Sequence, residues 1–184
     1  MEATDKKALR STLLAARAAI PNETKRQLDA ALCQAIAASK AFLKADALLV
    51  YLPIRGEPDL TALFQVADAH GIPIFLPRCE VNGMRFLQYT AENALTPDRF
   101  GIAAPTASAK EATPTAQTLC IVPGLAAGKD GARLGYGGGF YDRFLPTFQG
   151  TALFAVYEQF LFDTLPHEAH DHPLTYIITE KGER

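Results

Sequence analysis

The stretch of this chain best equipped for chemistry runs Arg133-Leu134-Gly135-Tyr136-Gly137-Gly138-Gly139-Phe140-Tyr141-Asp142-Arg143. Glycine fills four of the five positions from 135 to 139. Without side chains in the way, backbone N–H groups can close on an anion, and a helix beginning near Gly139 adds its dipole. Arg133, Asp142 and Arg143 bracket the glycines. Guanidinium groups pair phosphate oxygens in forked geometry, and a carboxylate can ligate Mg2+ beside phosphates. Type and spacing together point to a metal–phosphate site. Glycines alone would indicate only a flexible strand-to-helix turn.

Neither common nucleotide signature fits. GxGxxG fails because Phe140 stands where the last glycine belongs. The Walker pattern is missed at Gly124-Leu125-Ala126-Ala127-Gly128-Lys129-Asp130, which is one residue short and lacks the Ser or Thr that would hold Mg2+. Other chemical candidates are scattered. Lys6, Arg10 and Arg17 form a row on the first helix, within roughly 40° of one another at about 100° per residue. The row lies beside that helix's apolar stripe, at the rim of whatever the helix packs on. Glu57, in Arg55-Gly56-Glu57-Pro58, reads equally as a binding carboxylate or as a loop charge. His167, His170 and His172 cluster, but no cysteine or further histidine completes a transition-metal set. No Ser/His/Asp triad or nucleophilic cysteine is arranged here.

The elements that must position these residues alternate along the chain. Lys6 to Ile20 is predicted as an amphipathic helix with Leu9, Leu13, Ala16 and Ile20 inward. Pro21-Asn22 breaks it, and Asn22 is the expected N-cap of a second helix running toward Ser39. Strands are expected at Ala47–Pro53, Ile72–Leu76, Met84–Gln88, Leu119–Val122, Thr151–Val156 and Tyr176–Thr179, with a hairpin turning at Asn82-Gly83. Asp59 caps a helix carrying Leu60, Leu63, Phe64 and Ala67 inward and ending at Gly71. Ala103 to Gln117, rich in Ala, Thr and Pro, reads as a surface loop. Strand and helix in alternation predict an α/β fold: a single domain, residues 1–184, built on an open, mostly parallel sheet flanked by helices in the Rossmann-like manner.

Composition narrows the class. At 48% hydrophobic and 21% charged residues the chain matches soluble globular proteins, and a net charge of −2 gives no global pull toward nucleic acid or membrane. No apolar run approaches membrane-spanning length, and the charged start from Glu2 to Arg10 does not resemble a secretory leader. Cys33, Cys79 and Cys120 lie far apart, as expected of reduced, partly buried thiols in a cytoplasmic protein.

At its glycine-rich segment the chain resembles the 5-formyltetrahydrofolate cyclo-ligase, or 5,10-methenyltetrahydrofolate synthetase, family. Pro123, Gly124, Leu125, Ala126, Gly131, Arg133, Leu134, Gly135, Gly137, Gly139, Tyr141, Asp142 and Arg143 match the family's most specific stretch in register. Supporting matches span nearly the whole chain: Lys6 and Arg10 at the start, Leu52 through Glu57, Leu76-Pro77-Arg78, Met84 with Phe86, Phe100-Gly101-Ile102 with Pro105, and Leu165-Pro166 with His170-Asp171. Departures fall at Ala127-Gly128 (usually Phe-Asp), Ala104 (often Glu), Thr175 (often acidic) and Gln159-Phe160 (order inverted). They bear on how the pterin and its tail are held.

The resemblance implies ATP- and Mg2+-dependent conversion of 5-formyltetrahydrofolate to 5,10-methenyltetrahydrofolate by a monomer. It assigns ATP to Lys6, Lys7 and Arg10, together with Arg133, Leu134, Gly135, Tyr136, Gly137, Gly138, Gly139, Phe140 and Tyr141. It assigns the folate to Leu52 and Glu57, with Tyr136, Gly137, Gly138, Gly139 and Phe140 shared. Arg133, Tyr141 and Arg143 are the expected catalytic groups, and Asp142 and Asp171 the expected Mg2+ ligands. The alternative on the same fold is a regulatory protein that binds folate or nucleotide without turnover.

Overall fold

The computed structural model describes residues 6–81, 83–166 and 176–184. The expected turn at Asn82, together with His167, His170, Asp171, His172 and Thr175, lies outside the described residues.

The main sheet has seven strands. In chain order its members are β1 (Leu48–Leu49), β2 (Ile74–Glu80), β3 (Gly83–Tyr89), β6 (Leu119–Val122), β9 (Thr151–Ala155), β11 (Tyr176–Thr179) and β12 (Gly182–Glu183). Across the sheet they run β12-β11-β9-β6-β1-β2-β3. The five inner strands pair in parallel, and each edge adds one antiparallel strand, β3 on β2 and β12 on β11. This is the predicted α/β architecture. All four residues of β6 are fully buried, as expected of a central parallel strand covered on both faces. The parallel strands therefore stand in the doubly wound order 2-1-3-4-5 by their sequence. Such an order reverses between the first and third strands and opens a crevice there.

Helices come from α1 (Lys6–Ala18), α2 (Asn22–Ala37), α3 (Lys40–Leu43), α4 (Ala62–Ala69) and α5 (Phe140–Phe144). On α2, Leu32 and Ile36 are fully buried, as the apolar spacing requires. Its first helical residue is Asn22, and Pro21 takes the N-cap position without a side-chain bond. The expected Asn22 cap fails because the Pro21 carbonyl already accepts from Lys25 N–H at 2.8 Å. The expected Asp59 cap is also displaced: Thr61 is the N-cap of α4, without a side-chain bond, and Asp59 Oδ1 instead accepts from the Thr61 N–H at 3.0 Å in the turn ahead of it.

Three stretches depart from expectation. The first strand pairs only at Leu48–Leu49, since Ala47–Pro53 bends away beyond the bond from Val50 N–H to the Phe75 carbonyl. Residues 103–117 are more than a loop. Ala103–Pro105 forms β5, paired with β4 (Leu95–Pro97), and further on Leu87 bridges Glu111 along the outer edge of β3. That covers part of an edge strand that would otherwise expose unpaired backbone. Finally, a small sheet joins β7 (Ala126–Gly128) to β8 (Arg133–Leu134) on one side and β10 (Leu161–Phe162) on the other.

Candidate active site

A cleft of about 460 Å³ opens beyond the C-terminal ends of β1 and β6, at the point where the strand order reverses. That size falls in the range of small-molecule sites. One wall follows β1: Tyr51, Leu52, Ile54, Arg55 and Glu57. The opposite wall is Arg133 and the loop Gly135–Gly139, continuing through Phe140, Tyr141 and Asp142. The β2–β3 hairpin closes the floor with Leu76, Pro77, Cys79 and Met84, and Phe100 with Ile102 forms the rim.

Glu57 is held by a tight turn. Arg55 and Gly56 have φ of 48° and 74°, and Glu57 N–H donates to the Ile54 carbonyl at 2.9 Å. Positive φ at both central positions is the type I′ pattern, unusual for an arginine. The carboxylate folds back to accept the Ile54 N–H at 2.9 Å. The residue is only 3% exposed. Burial pushes its pKa up to about 7, against the pull of the Ile54 N–H, the Tyr136 hydroxyl, Arg17 and Arg55. A carboxyl group raised toward neutrality in a cleft is a functional-site candidate.

On the opposite wall the chain leaves β8 and turns through glycines. Gly137 has φ 90° and Gly139 φ 65°, conformations that glycine adopts without strain. Gly139 is the N-cap of α5, whose five residues continue into one 3-10 turn, Leu145–Thr147. So short a helix has little dipole to offer, and an anion approaching this loop would meet chiefly its bare backbone. Arg10 of α1 reaches across to donate through Nε to the Gly135 carbonyl at 2.9 Å. Its guanidinium carbon would lie 3.6 Å from a Cβ at Gly137. Lys6 stands one helical turn before Arg10, with the exposed Lys7 beside it.

Arg133 and Asp142 are an ion pair. Nη2 of Arg133 lies 2.5 Å from Oδ1 of Asp142, with the arginine side chain 6% and the aspartate 28% exposed. Nη1 donates to the Pro123 carbonyl at 3.2 Å, and the guanidinium sits 5.9 Å from the centre of the Tyr141 ring. The Arg133 Nε and the Tyr141 hydroxyl are buried with no hydrogen-bond partner among the described residues. Burial drives the Tyr141 pKa well above its ordinary value, so its hydroxyl is a donor at all working pH. Arg143 is exposed and donates to the Gly138 carbonyl at 3.2 Å, over the Phe140 ring. Phe140 in turn meets Phe100 edge to face at 5.6 Å. The Phe100 loop is shaped by the buried Asp98, whose Oδ1 accepts from Phe100 and Ile102 N–H and whose Oδ2 accepts from Cys79 N–H.

Comparison with known proteins decides the family. A family model described as the 5-formyltetrahydrofolate cyclo-ligase family matches residues 2–180. The chain belongs to the 5-formyltetrahydrofolate cyclo-ligase family. A 5-formyltetrahydrofolate cyclo-ligase from Mycolicibacterium smegmatis is 30% identical over 189 residues, covering 98% of this chain and 96% of the relative. The NMR structure of Aquifex aeolicus 5,10-methenyltetrahydrofolate synthetase superposes with a TM-score of 0.86 at 31% identity, covering 97% of this chain and 91% of that one. A 5,10-methenyltetrahydrofolate synthetase from Mycoplasma pneumoniae, at 23% identity and TM-score 0.78, shares the fold over 96% of this chain and 99% of its own. Membership makes this cyclo-ligase homologue an enzyme of the ligase class.

Of the residues singled out in the sequence, the cyclo-ligase cleft gathers Leu52, Glu57, Arg133, Gly135, Tyr136, Gly137, Gly138, Gly139, Phe140, Tyr141 and Asp142. Leu134 is buried behind it in β8. Sequence reasoning placed Arg17 in the basic row but gave it no site role; it is 2% exposed and donates to Gly124 and Leu125 carbonyls at 2.6 and 3.0 Å. Its signal was its place in the row with Lys6 and Arg10. Ala16, predicted inward, is exposed instead. The carbonyls after β6 need a donor, so the helix turns its basic row, rather than Ala16, into the protein. The departures from the family pattern at Ala127 and Gly128 lie in β7 and do not line the cleft. A Cβ at Gly128 would stand 2.1 Å from Asp130 Oδ1, so Asp130 fills the space that a side chain at 128 would take.

Proposed function

We propose that this protein converts 5-formyltetrahydrofolate and ATP to 5,10-methenyltetrahydrofolate, ADP and phosphate. Residues 1–184 would act as one catalytic domain, as a monomer. The three cysteines, all unpaired, suit the reducing cytoplasm. The observation that carries the reading is the pairing of unlike walls across one cleft. A buried carboxyl, Glu57, faces a bare glycine loop served by Arg10 and Arg133.

A formamide carbon is a poor electrophile and its oxygen a poor leaving group. Transfer of the γ-phosphoryl group to the formyl oxygen, with departure of ADP, cures both. N10 then adds to the activated carbon and loses its proton, and the C–O bond breaks as phosphate leaves. Phosphoryl transfer asks the protein for positioning and charge neutralisation above all. The Gly135–Gly139 backbone would cradle the phosphates, with Leu134 anchoring its entry and Lys6, Lys7 and Arg10 supplying positive charge from α1. Arg133 and Tyr141 would donate to the oxygens that gain charge, since each has a buried donor atom with no partner among the described residues. Arg143 would brace the loop through Gly138. Glu57 would accept the ring and amino N–H donors of the pterin, beside Leu52, with Tyr136 and Phe140 closing over the folate.

Among the described residues no three His, Cys, Asp or Glu side chains gather as a metal cage. Asp142 nevertheless fits Mg2+, which takes one or two carboxylates and completes its shell with waters and phosphate oxygens. It lines the cleft with a partly exposed carboxylate, one oxygen of which already faces Arg133. Asp171 would be the second ligand. When bound, the ion offsets the negative charge of the phosphates. The deciding experiment follows the absorbance of methenyltetrahydrofolate in purified protein given 5-formyltetrahydrofolate, with and without ATP and Mg2+. ATP-dependent product is expected. Tight folate binding with no product would instead establish the regulatory alternative.

A further inference from the structure

Arg17 is the least exposed charged side chain among the described residues, and it touches three separate segments of the cleft. Its Nη2 donates to the Gly124 and Leu125 carbonyls, in the turn that follows β6. Its Nη1 donates to the Tyr136 hydroxyl, in the glycine loop, at 3.2 Å. Its Cβ would lie 3.6 Å from a Cβ at Gly56, in the turn that presents Glu57. The guanidinium is seated on the Phe160 ring, 5.4 Å from its centre. Tyr136, held from one side by Arg17, turns its hydroxyl toward the Glu57 carboxyl on the other and favours the ionised form. Arg10, on the same helix, bonds the far end of the same loop at Gly135.

We infer that Arg17 is a positioning residue whose single guanidinium sets where the glycine loop and the Glu57 carboxyl stand relative to each other, through the Tyr136 hydroxyl. A buried charge with this many acceptors is expensive to place and is not needed to pack a helix. Two bonds to the turn after β6 fix the guanidinium, and the third holds the glycine loop through Tyr136, which in turn faces Glu57; that chain of contacts is what a fixed separation requires.

The arrangement has an electrostatic consequence. Glu57 is faced by Arg17 from α1, by Arg55 from its own turn, by Tyr51 from the segment after β1, by Tyr136 from the glycine loop and by Tyr141 from α5. The hydroxyls stay neutral at working pH, so the charges that favour its ionised form are Arg17 and, less strongly, Arg55. Removing Arg17 strips away both a charge and the anchor of the Tyr136 hydroxyl that favours the carboxylate. Both losses act in the same direction and push Glu57 toward its protonated form.

The test follows the carboxyl carbon of Glu57 by 13C NMR in glutamate-labelled protein, with its resonance assigned by its disappearance in Glu57→Gln. The wild-type midpoint is expected near pH 7. In Arg17→Met the midpoint is expected to rise by about one unit, the low end of what a nearby opposite charge does. Arg17→Lys keeps the charge and is expected to fall between the two. If Arg17→Met does not fold, Tyr136→Phe carries the test, since it leaves Arg17 in place but cuts the link, and an upward shift is again expected. A midpoint that stays at the wild-type value in a folded variant overturns the inference, whatever happens to the melting temperature. The inference takes its functional meaning from the proposed folate role of Glu57, so KM for 5-formyltetrahydrofolate at pH 7 is expected to rise about fivefold in Arg17→Met, with KM for ATP rising less. Equal losses for both substrates would reduce Arg17 to a packing residue. A shifted midpoint in a protein that never binds folate would uphold the Arg17 link and remove the proposed function.

Discussion

Replacing Glu57 by Gln is expected to make the protein more stable above neutral pH while removing its affinity for folate. In the unfolded chain the Glu57 carboxyl ionises with an ordinary pKa of 4.5, whereas burial in the folded protein raises it to about 7. Between those values the unfolded chain releases a proton that the native protein keeps. Folding is therefore favoured most below pH 4.5, and stability is lost as pH rises through 7. At about 1.4 kcal/mol per unit the loss is on the order of 3 kcal/mol at pH 8, and roughly 1 kcal/mol of it is already present at pH 5. Glu57 is 3% exposed, so solvent screening takes little from this figure. Glutamine cannot ionise, yet its carbonyl can still accept the Ile54 N–H. The stability advantage of Glu57→Gln over wild type is thus expected to grow by about 2 kcal/mol between pH 5 and pH 8.

Urea unfolding of both proteins across that range measures the difference directly. The slope with pH is the diagnostic quantity, because any constant cost of the substitution cancels from it. Binding of 5-formyltetrahydrofolate, followed by quenching of intrinsic fluorescence, is expected to weaken by at least about tenfold in the variant, since an amide NH2 opposes the pterin's own donors. A stability difference that stays flat from pH 5 to pH 8 would refute the view of Glu57 as a carboxyl destabilised by its burial. Wild-type folate affinity in the variant would refute its binding role.

Other perturbations test neighbouring parts of the site. Asp142→Asn keeps an acceptor for Arg133 but loses the charge, and kcat at saturating ATP and Mg2+ is expected to fall by about 10²-fold with a small change in melting temperature; an unchanged kcat would exclude a role for this carboxylate in turnover. Gly124→Ala would place a Cβ 2.9 Å from two Phe154 ring atoms and 3.1 Å from the Leu134 carbonyl, and is expected to cost about 1–3 kcal/mol in thermal or urea unfolding. Gly128→Ala would collide with Asp130 Oδ1, so Asp130→Ala is expected to recover part of its cost, and a double-mutant cycle in urea should return a coupling of about 1 kcal/mol.

What could be read in advance depended on whether neighbours or distant partners decide a residue's place. Leu119–Val122 and Tyr176–Thr179 are strands at the predicted boundaries. Short apolar runs like these have no good alternative to burial. The strand–loop–helix turn of the glycine segment was equally legible, because so many glycines cannot continue either element. The inward face of α1 was not. Its apolar period favours Ala16, but the choice is made by two carbonyls more than a hundred residues away, at Gly124 and Leu125. Nothing local to α1 announces them. The stretch 103–117 misleads for a related reason, since its composition is that of a loop while its pairing is set by the free edges of β4 and β3.

The Arg133–Asp142 pair shows the same division within the site. Spacing alone put the two residues beside a phosphate as separate agents, one for oxygens and one for metal. In the folded chain they hold each other, across the turn from β8 to α5. A carboxylate already neutralised by a buried guanidinium attracts a cation less than an isolated one does, so under the proposed function Mg2+ recruitment by Asp142 would depend on the phosphates that arrive with it. On the proposed function, the cleft would gain its metal together with ATP rather than store it. Mg2+ added without nucleotide is accordingly expected to leave the melting temperature unchanged at concentrations where Mg2+ with ATP raises it. A clear stabilisation by Mg2+ alone would show that the pair opens without substrate and that Asp142 serves the metal first.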